Sequence, residues 1–154
     1  MTVEKQNINM LVREVYNGSI VAVKKIIPLE PTIGAPQLIK PPLTVNFGVM
    51  IGITGELKGN LVVKSTKDFF SVIGEKMFGM PVSGDMLESF AGELGNMIAG
   101  NLSTYLAENA INTEITHPTV LEGEANLSGF KRALLVEIGY ENESDLIIHL
   151  LLNQ

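Results

Sequence analysis

From Leu43 to Thr54 the chain alternates without a break, and that run constrains the fold more than any other segment. Leu43, Val45, Phe47, Val49, Ile51 and Ile53 fall on one face of an extended segment. Thr44, Asn46, Gly48, Met50, Gly52 and Thr54 fall on the other. A period of two marks a strand with one buried face. Gly55-Glu-Leu-Lys-Gly59 reads as a turn, and Asn60 to Lys64 returns as a second strand. The run is too short and too patterned to span a bilayer.

Around this hairpin the period changes. Asn7 to Ile27 repeats as a helix, with Leu11, Val15, Ala22 and Ile26 on one face. Pro28, Pro31 and Pro36 end it and open an extended stretch. Thr66 to Phe78 is a short helix with Thr66 or Ser65 as its cap. Asp85 to Asn109 is a second long helix, and Ile115 to Leu121 is extended around Pro118. Ala133 to Tyr140 and Asp145 to Asn153 alternate as strands. Leu134, Val136, Ile138 and Tyr140 point inward from the first, and Leu146, Ile148, Leu150 and Leu152 from the second.

The two halves follow one plan: long helix, proline-bearing extended segment, long strand, turn, strand. We read a single domain over 1–154 with an internal duplication, its halves 1–65 and 83–154 joined by the short helix at 66–79. Antiparallel strands separated by helices give an α+β fold. The expectation is a two-layer sandwich with the long helices on one face of the sheet.

The 154 residues carry a net charge of −6 and no basic stripe, which argues against nucleic acid and against anionic membranes. With no cysteine, disulfides and thiolate metal sites are excluded. Residues 1–7 lack the basic start and apolar run of a signal peptide, so the expected location is cytoplasmic.

Functional interest concentrates in the second long helix. Its segment Ser89-Phe-Ala-Gly-Glu93-Leu-Gly-Asn96-Met-Ile-Ala-Gly100-Asn101 carries Gly92, Gly95 and Gly100. Each interior helical glycine costs about 1 kcal/mol relative to alanine. A chain accepts that cost where something must approach the backbone. At 3.6 residues per turn, Ser89, Glu93, Asn96 and Gly100 lie within roughly 60° of one another. Gly92 lies beside this stripe and Gly95 further round, so a carboxylate and a carboxamide stand on a low surface where a partner can lie flat.

The order of these residues resembles the CheC/CheX/FliY family of bacterial chemotaxis phosphatases. That family's pattern is Asp or Ser, three residues, Glu, two residues, Asn, and a Pro after about twenty-two more. Here Ser89, Glu93, Asn96 and Pro118 take those places, with 21 residues in the last gap. Ile51-Gly-Ile-Thr-Gly55 with Lys58-Gly59, Lys76-Met-Phe-Gly79 and Pro118-Thr-Val-Leu-Glu-Gly123 are similar to CheX-type members, and the likeness covers the whole chain. The resemblance implies dephosphorylation of phospho-CheY, the response regulator that sets flagellar rotation. It implies that Asn96 orients the attacking water and that Glu93 engages the active-site lysine of CheY; the low stripe itself makes Ser89, Gly92, Gly95 and Gly100 the expected docking surface. The resemblance also implies no cofactor of the chain's own, with Mg²⁺ carried by CheY, and a homodimer built through edge strands.

Plainer readings stand beside these. A Glu and an Asn three apart on a helix are ordinarily just solvated. A non-catalytic module of the same fold, binding phospho-CheY or joining the flagellar switch, is the alternative function. Glu14 and Asn17 repeat the pair in the first helix, but Met10, Tyr16 and Val21 fill the approach, so we read a degenerate duplicate. His149 reads as a sheet-surface or interface residue and His117 as a loop residue near the helix end. Met77, Met80, Met86 and Met97 read as core and edge filler. Ile147 and Leu151 make the last strand apolar on both faces, and we expect another element or another chain to cover the second face.

Overall fold

The computed structural model describes residues 3–153, with side chains from Asn7 onward. Met1, Thr2 and Gln154, which the 1–154 span and the reading of the N-terminus include, lie outside the described residues. In chain order the elements are α1 (Val3–Ile26), β1 (Pro31–Ile33), β2 (Gln37–Ile39), β3 (Leu43–Gly55), β4 (Gly59–Lys64), α2 (Lys67–Phe78), α3 (Asp85–Glu108), β5 (Thr113–Ile115), β6 (Thr119–Leu127), β7 (Arg132–Tyr140) and β8 (Leu146–Leu152). The strands form one antiparallel sheet in the order β1-β7-β8-β4-β3-β5, with β2 also on β7 and β6 also on β3. The order is palindromic. Exchanging β1–β4 with β5–β8 returns the same pairings, with β4 against β8 at the centre.

The expected α+β fold is borne out, with α1 and α3 packed on one face of the sheet over the main core. Leu11, Val15, Ala22 and Val23 of α1 and Leu94, Ile98, Leu102 and Leu106 of α3 are buried against Val49, Ile51, Ile53, Leu61, Val63, Val136, Ile148 and Leu150. Short α2 closes one end of this layer. Thr66 caps it, its Oγ1 accepting from the Phe69 amide at 3.1 Å. Gly79 ends it in the left-handed conformation (φ 74°), where a residue without Cβ is favoured. Phe70 meets Phe47 edge-on at 5.0 Å. Among the described residues no helix is long and apolar enough to cross a membrane.

Two expectations need correction, and between the two covers expected for the last strand the fold supplies another element of the chain. The alternation of β3 does not hold one face throughout. Leu43 and Val45 join a second apolar cluster, whereas Phe47, Val49, Ile51 and Ile53 join the main core. The register of β3 on β6 slips between Val45 and Phe47, and such a bulge re-aims the side chains beyond it. The second face of β8 is covered from within the chain, by Leu43, Val45, Val62, Phe130 and Ala133, so Leu151 is buried and presents nothing to a second copy. Nor is β8 an edge: β4 and β7 take its two sides. Finally, His149 is not a surface residue. It is 1% exposed, and among the described residues neither ring nitrogen has a hydrogen-bond partner. Burial, aided by Lys64, depresses its pKa to about 4, so the buried ring is neutral at pH 7.

Candidate functional site on helix α3

The buried side of α3 is set by Leu87, Phe90, Ala91, Leu94, Ile98, Leu102 and Leu106. With that side fixed on the sheet, the helical period turns Ser89, Glu93, Asn96 and Gly100 to solvent, and all four are exposed. The stripe expected from the spacing is therefore a continuous strip of surface. Among the described residues no group hydrogen-bonds or ion-pairs with the Glu93 or Asn96 side chains. The neighbouring Asn101 is spent locally, its Nδ2 donating to the Met97 carbonyl at 2.9 Å. A carboxylate and a carboxamide one turn apart are thus held on a rigid helix with their hydrogen-bonding capacity free. Together they offer an acceptor for a cation and a group that both donates to and accepts from a water.

The three glycines separate into different roles. Gly100 faces open space, and a Cβ there meets nothing within 4 Å. Gly92 is half-buried, with room for a Cβ at 3.6 Å from Val120. Gly95 does not belong to the exposed surface. It is buried, and a Cβ there would sit 2.9 Å from Pro118 Cβ and 3.3 Å from Val49 Cγ2. Its low profile lets α3 settle onto the β5–β6 connection. The Asn-to-Pro spacing thereby gains a physical meaning, because Pro118 is the neighbour that Gly95 admits.

The same connection shapes the surface beside Asn96. Gly52 donates to Thr116 Oγ1 at 2.8 Å, and the Thr116 amide donates to the Gly52 carbonyl at 2.9 Å, pinning the link to β3. Thr116 and His117 then face Asn96, Gly100 and Ser103 across a depression of about 250 Å³. His117, expected near the helix end, is exposed and opens onto the depression that Asn96 lines. On the other side, Ser89 and Glu93 border a larger apolar depression that includes Phe78, Met80 and Met86. Met80 and Met86, expected as core and edge filler, are 53% and 54% exposed. Their signal was the cluster of large apolar residues just before a helix with a polar stripe.

The second Glu-Asn pair is built differently. Glu14 Oε2 accepts from Tyr105 Oη at 3.0 Å, and both side chains are half-buried between α1 and α3. Burial, then the Glu14 carboxylate, raises the Tyr105 pKa. Gly18, one residue past Asn17, is buried under α3, and a Cβ there would fall 2.7 Å from Leu102 and Tyr105. That pair is part of a helix–helix contact. Among the described residues no group of three or more His, Asp or Glu is placed to hold a metal ion.

A family model described as chemotaxis phosphatase CheX matches residues 47–132, which include α3 and the β5–β6 connection. The CheY-P phosphatase CheX of Thermotoga maritima is 30% identical over 148 residues, covering 93% of both chains. Among solved structures, the CheX–CheY–BeF₃–Mg²⁺ complex of Borrelia burgdorferi has TM-score 0.76 at 19% identity, over 93% of this chain and 97% of that one. The chemotaxis protein CheX of Desulfovibrio desulfuricans has TM-score 0.73 at 17% identity, over 92% and 99%. At those identities the structures establish the fold; the family rests on the matched model and the full-length Thermotoga relative, and by both this chain belongs to the CheX family of chemotaxis phosphatases.

Proposed function

We propose that this protein hydrolyses the aspartyl-phosphate of a CheY-type response regulator in bacterial chemotaxis, through Glu93 and Asn96. The observation that carries the reading is the exposed stripe of α3, on which both side chains are free and the flanking surface is low. Family membership supports it, as does the Borrelia relative, whose structure contains CheY with BeF₃ and Mg²⁺. Trifluoroberyllate has the shape and charge of a phosphoryl group.

An acyl phosphate is already reactive, so the work left to this chain is mostly geometric. Asn96 accepts from and donates to the attacking water and holds it in line with the phosphorus–oxygen bond. As the new P–O bond forms, the bond to the aspartyl oxygen breaks, the carboxylate leaves and inorganic phosphate is released. A carboxamide suits this role because its hydrogen bonding does not change with pH. Glu93, one turn earlier, takes the regulator's active-site lysine in a charge-assisted contact and fixes the register. Ser89, Gly92 and Gly100 keep the approach clear, while Gly95 serves it indirectly by seating α3 on Pro118. Mg²⁺ belongs to the regulator, and the reaction runs where the regulator is, in the cytoplasm.

The reading includes a chain duplicated within 1–154, supported by the palindromic sheet, and a working site in the second half only. It also includes a homodimer through the open outer edges of β1–β2 or β5–β6, because unpaired edges favour strand addition. Sedimentation equilibrium at micromolar concentration tests the dimer, and a clean monomer mass excludes it. Function is tested by phosphate release from a panel of phosphorylated CheY-type regulators. At least one should lose phosphate faster with the protein than alone. A regulator that binds without faster loss supports a binding or switch module instead.

A further inference from the structure

We infer that the apolar depression beside Glu93 takes one apolar side chain from the rim of the regulator's phosphorylation site, and that this contact governs which regulators are held. The inference rests on the proposed function, since it takes the α3 stripe as the regulator-facing surface. Six large apolar side chains are exposed among the described residues: Met10, Val21, Leu38, Phe78, Met80 and Met86. Three of the six, Phe78, Met80 and Met86, gather around one cavity of about 380 Å³. Its wall includes Phe90 and Val82, both nearly inaccessible. Ser89 and Glu93 form part of the same lining, so the pocket and the proposed site are one surface.

The pocket is built, not a loose end of chain. Phe78 meets Phe90 edge-on, with ring centroids 5.7 Å apart. Ser71 Oγ donates to the Val82 carbonyl, and Gly74 lets Val82 pack closely on α2. Gly79 ends α2 between Phe78 and Met80. Apolar side chains left half in water forgo about 25 cal/mol for each Å² not buried. Held on a rigid frame, they are pre-organised to bury that surface against a partner at little entropic cost.

Charge selects the occupant. Asp85 and Glu93 line the pocket beside its apolar wall. A second copy of this chain meeting it face to face would set those carboxylates against their mates, which opposes a two-fold contact. The complement is an apolar side chain flanked by a cation. A regulator whose active-site lysine is taken by Glu93 supplies that cation next door. The occupant is therefore an aromatic or long aliphatic side chain projecting beside the regulator's lysine, and methionines adapt to either.

The test is steady-state dephosphorylation of one phosphorylated regulator by the full chain and by Met80→Ser and Met86→Ser, with Asn96→Ala run in parallel. Each Met variant should raise KM about tenfold, about 1.4 kcal/mol of docking, with kcat kept. Asn96→Ala should lose kcat with KM kept, and that arm alone decides the proposed function. Wild-type KM in both Met variants overturns the pocket whatever Asn96→Ala does. A self-associated species that the Met variants dissociate, with KM unmoved, also overturns it and seats a second copy there. Melting temperatures check folding. If Met80→Ser unfolds, Met86→Gln, exposed on the first turn of α3, carries the same expectation.

Discussion

Replacing Gly95 and Gly100 in turn by alanine separates the packing role of a helical glycine from its surface role. Both changes gain about 1 kcal/mol of helix propensity. At Gly100 nothing opposes the gain, because the added methyl meets open space. A domain of this size shifts by about 2–4 °C per kcal/mol, so Gly100→Ala should melt about 3 °C higher. At Gly95 the methyl falls 2.9 Å from Pro118 Cβ, 3.2 Å from its Cγ and 3.3 Å from Val49 Cγ2. A proline ring cannot swing aside as a long side chain does. Overpacking costs about 1–3 kcal/mol, and against an unyielding ring a mid-range cost of about 2 kcal/mol outweighs the propensity gain. Gly95→Ala should therefore melt lower, by about 3 °C for a net loss of 1 kcal/mol. It should also slow dephosphorylation, because lifting α3 from Pro118 moves Glu93 and Asn96 together. Thermal unfolding by circular dichroism reads the first effect and decay of a phosphorylated regulator the second. If Gly95→Ala melts above wild type as Gly100→Ala does, the contact with Pro118 is not tight and the reasoning fails.

Two further outcomes follow from buried groups. His149 is neutral in the fold, with its pKa depressed to about 4 from an ordinary 6.5, so between those values the unfolded chain binds a proton that the folded chain refuses. Stability is lost as pH falls, by about 2 kcal/mol between pH 7 and pH 5. His149→Leu should remove that share of the loss in urea titrations at the two pH values, and equal slopes in both proteins would refute it. In α1, Asn17→Ala should leave dephosphorylation unchanged. Gly18→Ala should instead destabilise by about 1 kcal/mol net, since overpacking of its methyl at 2.7 Å from Leu102 and Tyr105 costs about 2 kcal/mol against about 1 kcal/mol of helix propensity gained. A Gly18→Ala protein with wild-type stability would show that α1 and α3 are not locked there.

The long elements were legible because each repeats one period over many residues: the apolar faces of α1 and α3, and the alternation of β3, β7 and β8. Strand β6 was read only to Leu121, though it runs to Leu127. Its second half is Glu122-Gly-Glu-Ala-Asn-Leu, with Gly123 at positive φ and the register slip on β3, so no period marks it. The change of face at Val45 escaped for the same reason, because a bulge leaves no trace in the alternation of the strand it faces. The burial of His149 was not legible because a lone polar residue on the second face of β8 does not show what covers that face; Leu43 and Val45 at the start of β3 join Phe130, Ala133 and Leu151 there only in the fold. At the site, the shared exposed stripe of Ser89, Glu93 and Asn96 was legible from helical spacing, while the roles proposed for them came from the resemblance. Gly95 was not, since only the fold brings Pro118 onto it. Nor was the pocket, whose wall joins the end of α2 and the following turn to the start of α3.

The central claim is tested most directly by the decay of a phosphorylated CheY-type regulator with wild-type protein and with Asn96→Ala, binding being measured on the same samples. Asn96 is exposed and alanine is a better helix former, so the variant should fold and still bind. Losing the group that positions the water should cut the acceleration on the order of 100-fold, bringing decay close to the regulator's own rate. Wild-type acceleration by Asn96→Ala would contradict the account.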